Sequence, residues 1–165
     1  MEIEQLGPYK IVGKLGRGGM GTVFEAIHSE TGEKAAVKLL SASLAHEEGF
    51  RARFEAEIET LRKLKHPNIV RLFGFGEQEG HLFYAMEMVV GNSLEEELRQ
   101  GRRFGWRDVT RIGIDTCRAL RHAHDRGVIH RDIKPGNLLL PADGGGIKLS
   151  DFGIARLFGY SRLTH

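Results

Sequence analysis

The sequence predicts an α+β protein, with an antiparallel sheet and one helix first and a mainly helical part after them. Three observations carry this reading. Residues 9–40 divide into short stretches rich in β-branched and aromatic side chains, separated by glycine turns. A single apolar stripe follows at Phe50, Phe54, Ile58, Leu61 and Leu64, stepping by four, four, three and three. After Gly91 the strand pattern gives way to helix caps and a longer helical periodicity.

In chain order, strands are predicted over residues 9–16, 22–29 and 33–40, with a tight turn at 30–33 between the last two. The striped helix is stopped by Pro67. Strands at 69–75 and 82–89 come next, joined by a polar, glycine-containing turn. Ser93 is a good N-cap for a short helix whose first turn holds acids and whose end falls at Gly101. A longer helix follows, with Val109, Ile112, Thr116, Leu120 and Ala123 on one face. Short strands are then predicted at 128–130, 137–140 and 146–151.

Composition narrows the class. Of 165 residues, 41% are hydrophobic and 28% charged, the balance of a globular domain. The 24 basic and 22 acidic residues leave a net charge of +2, too small a field to point to nucleic acid or a membrane surface. Cys117 is the only cysteine, which excludes an intrachain disulfide and a cysteine-based zinc site. The N-terminus has neither a basic start nor an apolar stretch, and no run approaches the roughly 18 apolar residues of a membrane span. These features predict a cytoplasmic domain with no membrane segment and no nucleic-acid partner.

Residues 16–21, GRGGMG, fit a G-x-G-x-x-G pattern, which alone is a weak signal. The residues after it are informative. A dinucleotide-binding fingerprint would open a helix, whereas TVFEAI is β-branched and alternating, so these glycines belong to a hairpin. Bare backbone N–H groups in such a hairpin can approach phosphate oxygens. On the strand at 33–40, Ala36 and Lys38 share one face, a small residue beside a cation. Glu57 borders the apolar stripe of the helix and is placed to hold Lys38. The most specific stretch is HRDIKPGN, residues 130–137. Asp132 can accept a hydroxyl proton, Lys134 can steady a transferring phosphoryl group, and Asn137 can offer an amide oxygen to magnesium. Asp151, in DFG, adds a metal carboxylate, and His130 reads as a packed, hydrogen-bonded histidine.

In order, LGRGGMGTV, AAVK, Glu57, HPNIV, YAMEMV, HRDIKPGN and DFG make the chain resemble a eukaryotic-like protein kinase of the bacterial type. Lys134 two residues after Asp132 matches the serine/threonine branch. The resemblance spans about residues 9–156. It implies a small lobe over 1–90, and a hinge with an incomplete, mainly helical large lobe over 91–165, the chain stopping inside the activation segment. It implies that Leu15, Gly16, Gly18, Gly21 and Val23 cover ATP, with Ala36 against the adenine and Leu139 beneath it. Lys38 would bind phosphates and pair with Glu57, Met86 would be the gatekeeper, and the backbones of Glu87 and Val89 would meet the adenine edge. Asp132 would be the catalytic base, with Asn137 and Asp151 holding Mg2+. Leu61, Leu72, His130 and Phe152 would stack as a column. Arg131 would clamp a phosphorylated Thr164 or Ser161. The implied activity is transfer of the ATP γ-phosphoryl group to Ser or Thr of protein substrates. The rival readings are a non-catalytic ATP-binding or regulatory fragment and a small-molecule kinase. HRDIKPGN argues against the second, since such relatives usually lack this lysine.

Overall fold

Backbone hydrogen bonding in the first half of the chain builds a six-stranded antiparallel sheet in the order β1-β2-β3-β4-β6-β5. Its strands are β1 (Gln5–Leu6), β2 (Tyr9–Gly18), β3 (Gly21–His28), β4 (Lys34–Leu40), β5 (Leu72–Gln78) and β6 (His81–Glu87). One helix, α1 (Phe50–Leu61), belongs with them. The structure is a computed structural model that describes residues 3–18, 21–41 and 49–152. They fall into two units, Met1–Arg62 with Leu72–Met88, and Lys63–Arg71 with Val89–His165.

In the first unit the period-2 alternation of the strands sorts side chains onto two faces. Leu6, Ala26, Val37, Phe83 and Ala85 form the core on one face, with Ile11, Leu39 and Phe73 packed against it. The Phe83 ring covers two glycines, since a Cβ on Gly7 or Gly76 would come within 2.9 or 2.6 Å of it. The opposite face receives α1. Phe54 lies 6.0 Å from the Phe75 ring and 6.2 Å from the Tyr84 ring. The helix begins at Gly49 without a side-chain cap, and it has no acid in its first turn and no base in its last. Its stability therefore comes from burial. Phe50, Phe54 and Ile58 are each 0% exposed and Leu61 is 2% exposed, and each such side chain contributes about 1.5–3 kcal/mol by leaving water.

The second unit holds a three-stranded sheet, β7 (Gly91–Ser93), β8 (Leu138–Pro141) and β9 (Lys148–Leu149), and two helices, α2 (Leu94–Arg99) and α3 (Trp106–His124). Ser93 caps α2 as the sequence predicts, and Glu96 completes a capping box. The Ser93 hydroxyl accepts from the Glu96 N–H at 3.2 Å, and the Glu96 carboxylate accepts from the Ser93 N–H at 2.7 Å. Gly101, at φ 83°, follows the end of the helix.

Four expectations are corrected here. No strand forms at 128–130, because the Val128 N–H is used at the end of α3, donating to the Ala123 carbonyl at 3.0 Å. The strand expected from residue 69 begins at Leu72, since Ile69 bridges Leu149 in parallel and the Val70 N–H donates to the Leu149 carbonyl. The helical stripe expected to run to Leu64 ends with α1 at Leu61, and Leu64 is buried outside the helix. Of the α3 face, Ala123 is buried, Val109 is 57% exposed and Ile112, Thr116 and Leu120 are half-buried, beside a buried Asp115 and Ala119. Two short strands, β1 and β7, carry no local signal and exist through their partners.

Candidate active site

The glycine-rich stretch lies where β2 and β3 pair, with Gly16 opposite Val23 and Gly18 opposite Gly21. It is a hairpin and opens no helix, as the alternation of TVFEAI predicts. Two of its glycines differ physically. Gly21 has φ +147°, and a Cβ there would sit 1.9 Å from the Leu39 carbonyl oxygen, so the backbone itself excludes a side chain. A Cβ on Gly16 would meet nothing within 4 Å among the described residues, so their packing does not require that glycine. Open space over Gly16 suits a bound group that must approach the backbone closely. Leu15, next to it, is 48% exposed.

The register continues the same face across the sheet. Val23 is opposite Lys38, Lys38 is opposite Tyr84, and Ala36 is opposite Met86. Directly opposed residues of an antiparallel pair share a face. Val23, Ala36, Lys38, Tyr84 and Met86 therefore line the side of the sheet away from the Phe83 core. Lys38 is 9% exposed, and its ammonium lies 5.9 Å from the centroid of the Tyr84 ring. The other side of that ring's environment is Phe54 of α1, so Lys38 and the helix carrying half-buried Glu57 occupy the same face. Glu87 ends β6 and Val89 follows it.

In the second unit HRDIKPGN folds into a polar knot. Pro135 keeps Lys134 extended (φ −157°, ψ 161°) and starts a 3-10 turn over Pro135–Asn137. Extended backbone places Lys134 on the same side as Asp132, two residues back. The Lys134 ammonium reaches the Asp132 carboxylate at 2.9 Å, and the Asn137 amide donates to the same oxygen at 3.0 Å and to the Asp132 carbonyl at 2.7 Å. Burial opposes ionisation of Asp132, but the hydrogen bonds from Lys134 and Asn137 outweigh it and hold the carboxyl below the usual carboxylate range. The hydrogen bond to Asp132 raises Lys134 above the usual lysine range. The pair is charged at neutral pH.

Ser150, which the sequence reading missed, ties this loop to the strand before DFG. Its N–H donates to the Asn137 carbonyl at 2.9 Å, and its carbonyl meets the His130 Nε2 at 2.7 Å. His130 Nδ1 accepts the Asp132 backbone N–H at 3.2 Å. A backbone amide can only donate, so Nδ1 carries no proton and Nε2–H donates to Ser150. The Phe152 ring packs on His130 with centroids 4.5 Å apart. His130 is thus an organiser, as its sequence context suggests. Arg131 and Asp151 have φ 67° and 56°, an uncommon conformation for residues with a side chain. Leu139 is half-buried in β8. Ser161, Thr164 and the glycine of DFG lie outside the described residues.

Three histidines of this unit titrate below their ordinary value of 6.5. Burial is the leading cause for each, and for His66 the neighbouring His122 ring, 5.0 Å away, adds to it. Below about pH 6.5 the unfolded chain takes up protons that the folded chain refuses, so stability falls as pH drops through the window beneath that value. Thermal melts from pH 7.5 to 5 should show Tm declining, with a shallower slope in His130→Gln. A flat profile in the wild type would contradict the burial of these rings.

The protein-family model described as "Protein kinase domain" matches residues 9–165. The chain belongs to the protein kinase family. It is 45% identical over 159 residues to the serine/threonine-protein kinase PknJ of Mycobacterium tuberculosis, covering 94% of this chain and 27% of that protein. It is 39% identical over 162 residues to the probable serine/threonine-protein kinase SCO3848 of Streptomyces coelicolor, covering 96% of this chain and 24% of that one. The PknI kinase domain of Mycobacterium tuberculosis superposes with a TM-score of 0.82 at 34% identity, covering 91% of this chain and 61% of that domain. This chain therefore spans about a quarter of the curated relatives named here. The family uses ATP and Mg2+ in general. No helix among the described residues is long and apolar enough to cross a membrane.

Proposed function

We propose that this kinase-family chain supplies the nucleotide-binding and catalytic groups of a serine/threonine protein kinase. The observation that carries the reading is the convergence of Lys134 and Asn137 on one Asp132 oxygen, at 2.9 and 3.0 Å. Such a carboxylate stays ionised and held in place, ready to accept a hydroxyl proton.

The residues fit the groups the family uses. Asn137 spends its amide nitrogen on Asp132, which leaves the amide oxygen as a donor. With the Asp151 carboxylate it makes the oxygen set that Mg2+ takes. Bound there, Mg2+ would neutralise charge on the phosphate oxygens. Gly16, Gly18 and Gly21 would give backbone N–H groups to the phosphates, and Leu15, Val23, Ala36 and Leu139 would give apolar surface to the adenine. Met86 would bound the adenine site, and the backbones of Glu87 and Val89 would bond its edge. Lys38, held by Glu57, would bind the phosphates. Asp132 would take the proton as the acceptor oxygen bonds to the γ-phosphorus and the bond to the ADP oxygen breaks. Lys134 would steady the charge in transit. The partners are protein substrates bearing Ser or Thr, with Thr164 or Ser161 as regulatory acceptors, in the cytoplasm.

Titration of a fluorescent ATP analogue tests the assignment. Affinity should rise with Mg2+ and fall at least about tenfold in Lys38→Met, since a charge-assisted hydrogen bond is worth roughly 1.5–3 kcal/mol. Equal affinity for both proteins, with and without Mg2+, would overturn it.

A further inference from the structure

We propose that one face of α3 is a docking surface for an acidic peptide segment of a partner protein. Arg107, Arg111, Ile114 and Arg118 recur at steps of four, three and four, which aligns them in one row along the helix. The row borders a cavity of about 520 Å³ that Trp106, Asp115 and Gly146 also line. Arg111, Asp115 and Gly146 also line a second cavity of about 570 Å³, so the two spaces adjoin along the helix.

Charge selects the occupant. Like charges at helical neighbour spacing repel, and proteins usually interleave acids to cancel them. Here the only carboxylate in the wall of the first cavity is Asp115, 7% exposed, which reaches Arg118 at 3.5 Å. The Arg107 guanidinium lies 5.0 Å from the Trp106 ring centroid. Arg111 makes no ion pair among the described residues. In the first cavity three guanidinium groups thus face one mostly covered carboxylate, while in the second Arg111 and Arg102 sit beside Glu97 and Asp108. Guanidinium forks match carboxylates with two parallel hydrogen bonds. Trp106, 72% exposed, and Ile114, 47% exposed, offer apolar surface to a side chain between the acids. Arginine and tryptophan anchors of this kind dominate binding energy at protein interfaces. The row sits on a helix of 19 residues, so its spacing is held without a partner.

Trp106 is the single tryptophan of the 165 residues, so its emission reads this site directly. Titrating the full chain with the synthetic peptide Glu-Glu-Leu-Glu-Glu-Leu-Glu should shift that emission saturably. The affinity should fall as salt is added, because exposed charges are screened over about 10 Å. Arg111→Glu combined with Arg118→Glu should weaken binding at least about tenfold. Arg99→Glu makes the same kind of charge change on α2, outside both cavities, and should leave binding unchanged. Circular dichroism checks that each variant is folded, and Arg111→Gln with Arg118→Gln replaces the charge reversal if it is not. Peptide binding needs no phosphoryl transfer, so the outcome is independent of whether the chain is catalytic. An absent shift, an equal shift from the peptide with Gln for every Glu, or equal weakening in Arg99→Glu would overturn the proposal. So would saturation by anionic vesicles or an oligonucleotide where the peptide fails.

Discussion

Asp132→Asn is expected to lower phosphoryl transfer to a protein hydroxyl by about 10²–10⁴-fold, the usual worth of a positioned general base. Nucleotide affinity should stay within about twofold, because Asp132 would face the acceptor hydroxyl and not the nucleotide. The substitution removes the negative charge that receives Lys134 and Asn137 at 2.9 and 3.0 Å but keeps one carbonyl oxygen and the shape of the side chain. Neither Asp132 nor Lys134 is deeply buried, so folding should survive. Steady-state kinetics with a generic Ser/Thr protein substrate, beside nucleotide titration, separate the two effects. Turnover within threefold of wild type would remove Asp132 from the base role. Asp151→Asn should behave differently, weakening Mg2+-dependent nucleotide binding as well as transfer, since it would subtract a metal ligand.

Phe54→Ala is expected to destabilise the first unit by about 3–5 kcal/mol, the range for deleting a buried aromatic ring. Phe54 is 0% exposed, and its ring meets those of Phe50, Phe75 and Tyr84 at 6.1, 6.0 and 6.2 Å. Since α1 has no side-chain cap and no favourable charges at its ends, and its ion pair from Arg51 to Glu77 on β5 is largely exposed, that seat carries much of its stability. Domain stabilities are only about 5–15 kcal/mol, so urea unfolding should show a large drop in midpoint. Nucleotide affinity should drop too, because Tyr84 lies under both Phe54 and the Lys38 ammonium. Val12→Ala, at a 57% exposed position, serves as the control and should change little. A loss below about 1 kcal/mol in Phe54→Ala would mean that α1 does not depend on the sheet.

The parts of the fold that were legible in the sequence are those governed by neighbours along the chain. The four-and-three spacing from Phe50 marks α1, although the expected stripe runs on to Leu64 and the helix ends at Leu61; Ser93 marks the start of α2, and the alternation after Gly21 marks a hairpin strand. The local geometry of residues 130–137 was legible for the same reason, as Pro135 shapes Lys134 and the two-residue spacing puts Lys134 beside Asp132. The expectation at 128–130 failed because an apolar triplet is ambiguous. Val128 completes the end of α3 through its backbone, and no periodicity announces that.

By itself, then, the sequence determined the order and type of the long elements, the hairpin at the glycines, and the polar cluster gathered between His130 and Asn137. Each of these rests on dihedral preference, capping or side-chain period, which act over a few residues. Only the tertiary structure decided that Ser150 locks Asn137 to His130, and that Ile69 leaves its expected strand to pair with Leu149. It alone decided that α3 buries Asp115 and Ala119 beside Ala123, while Val109, Ile112, Thr116 and Leu120 stay partly or largely exposed. Those choices join residues 13 to 80 positions apart in sequence. They are set by which backbone groups find partners and which side chains are small enough to allow close approach, and local pattern does not carry that information.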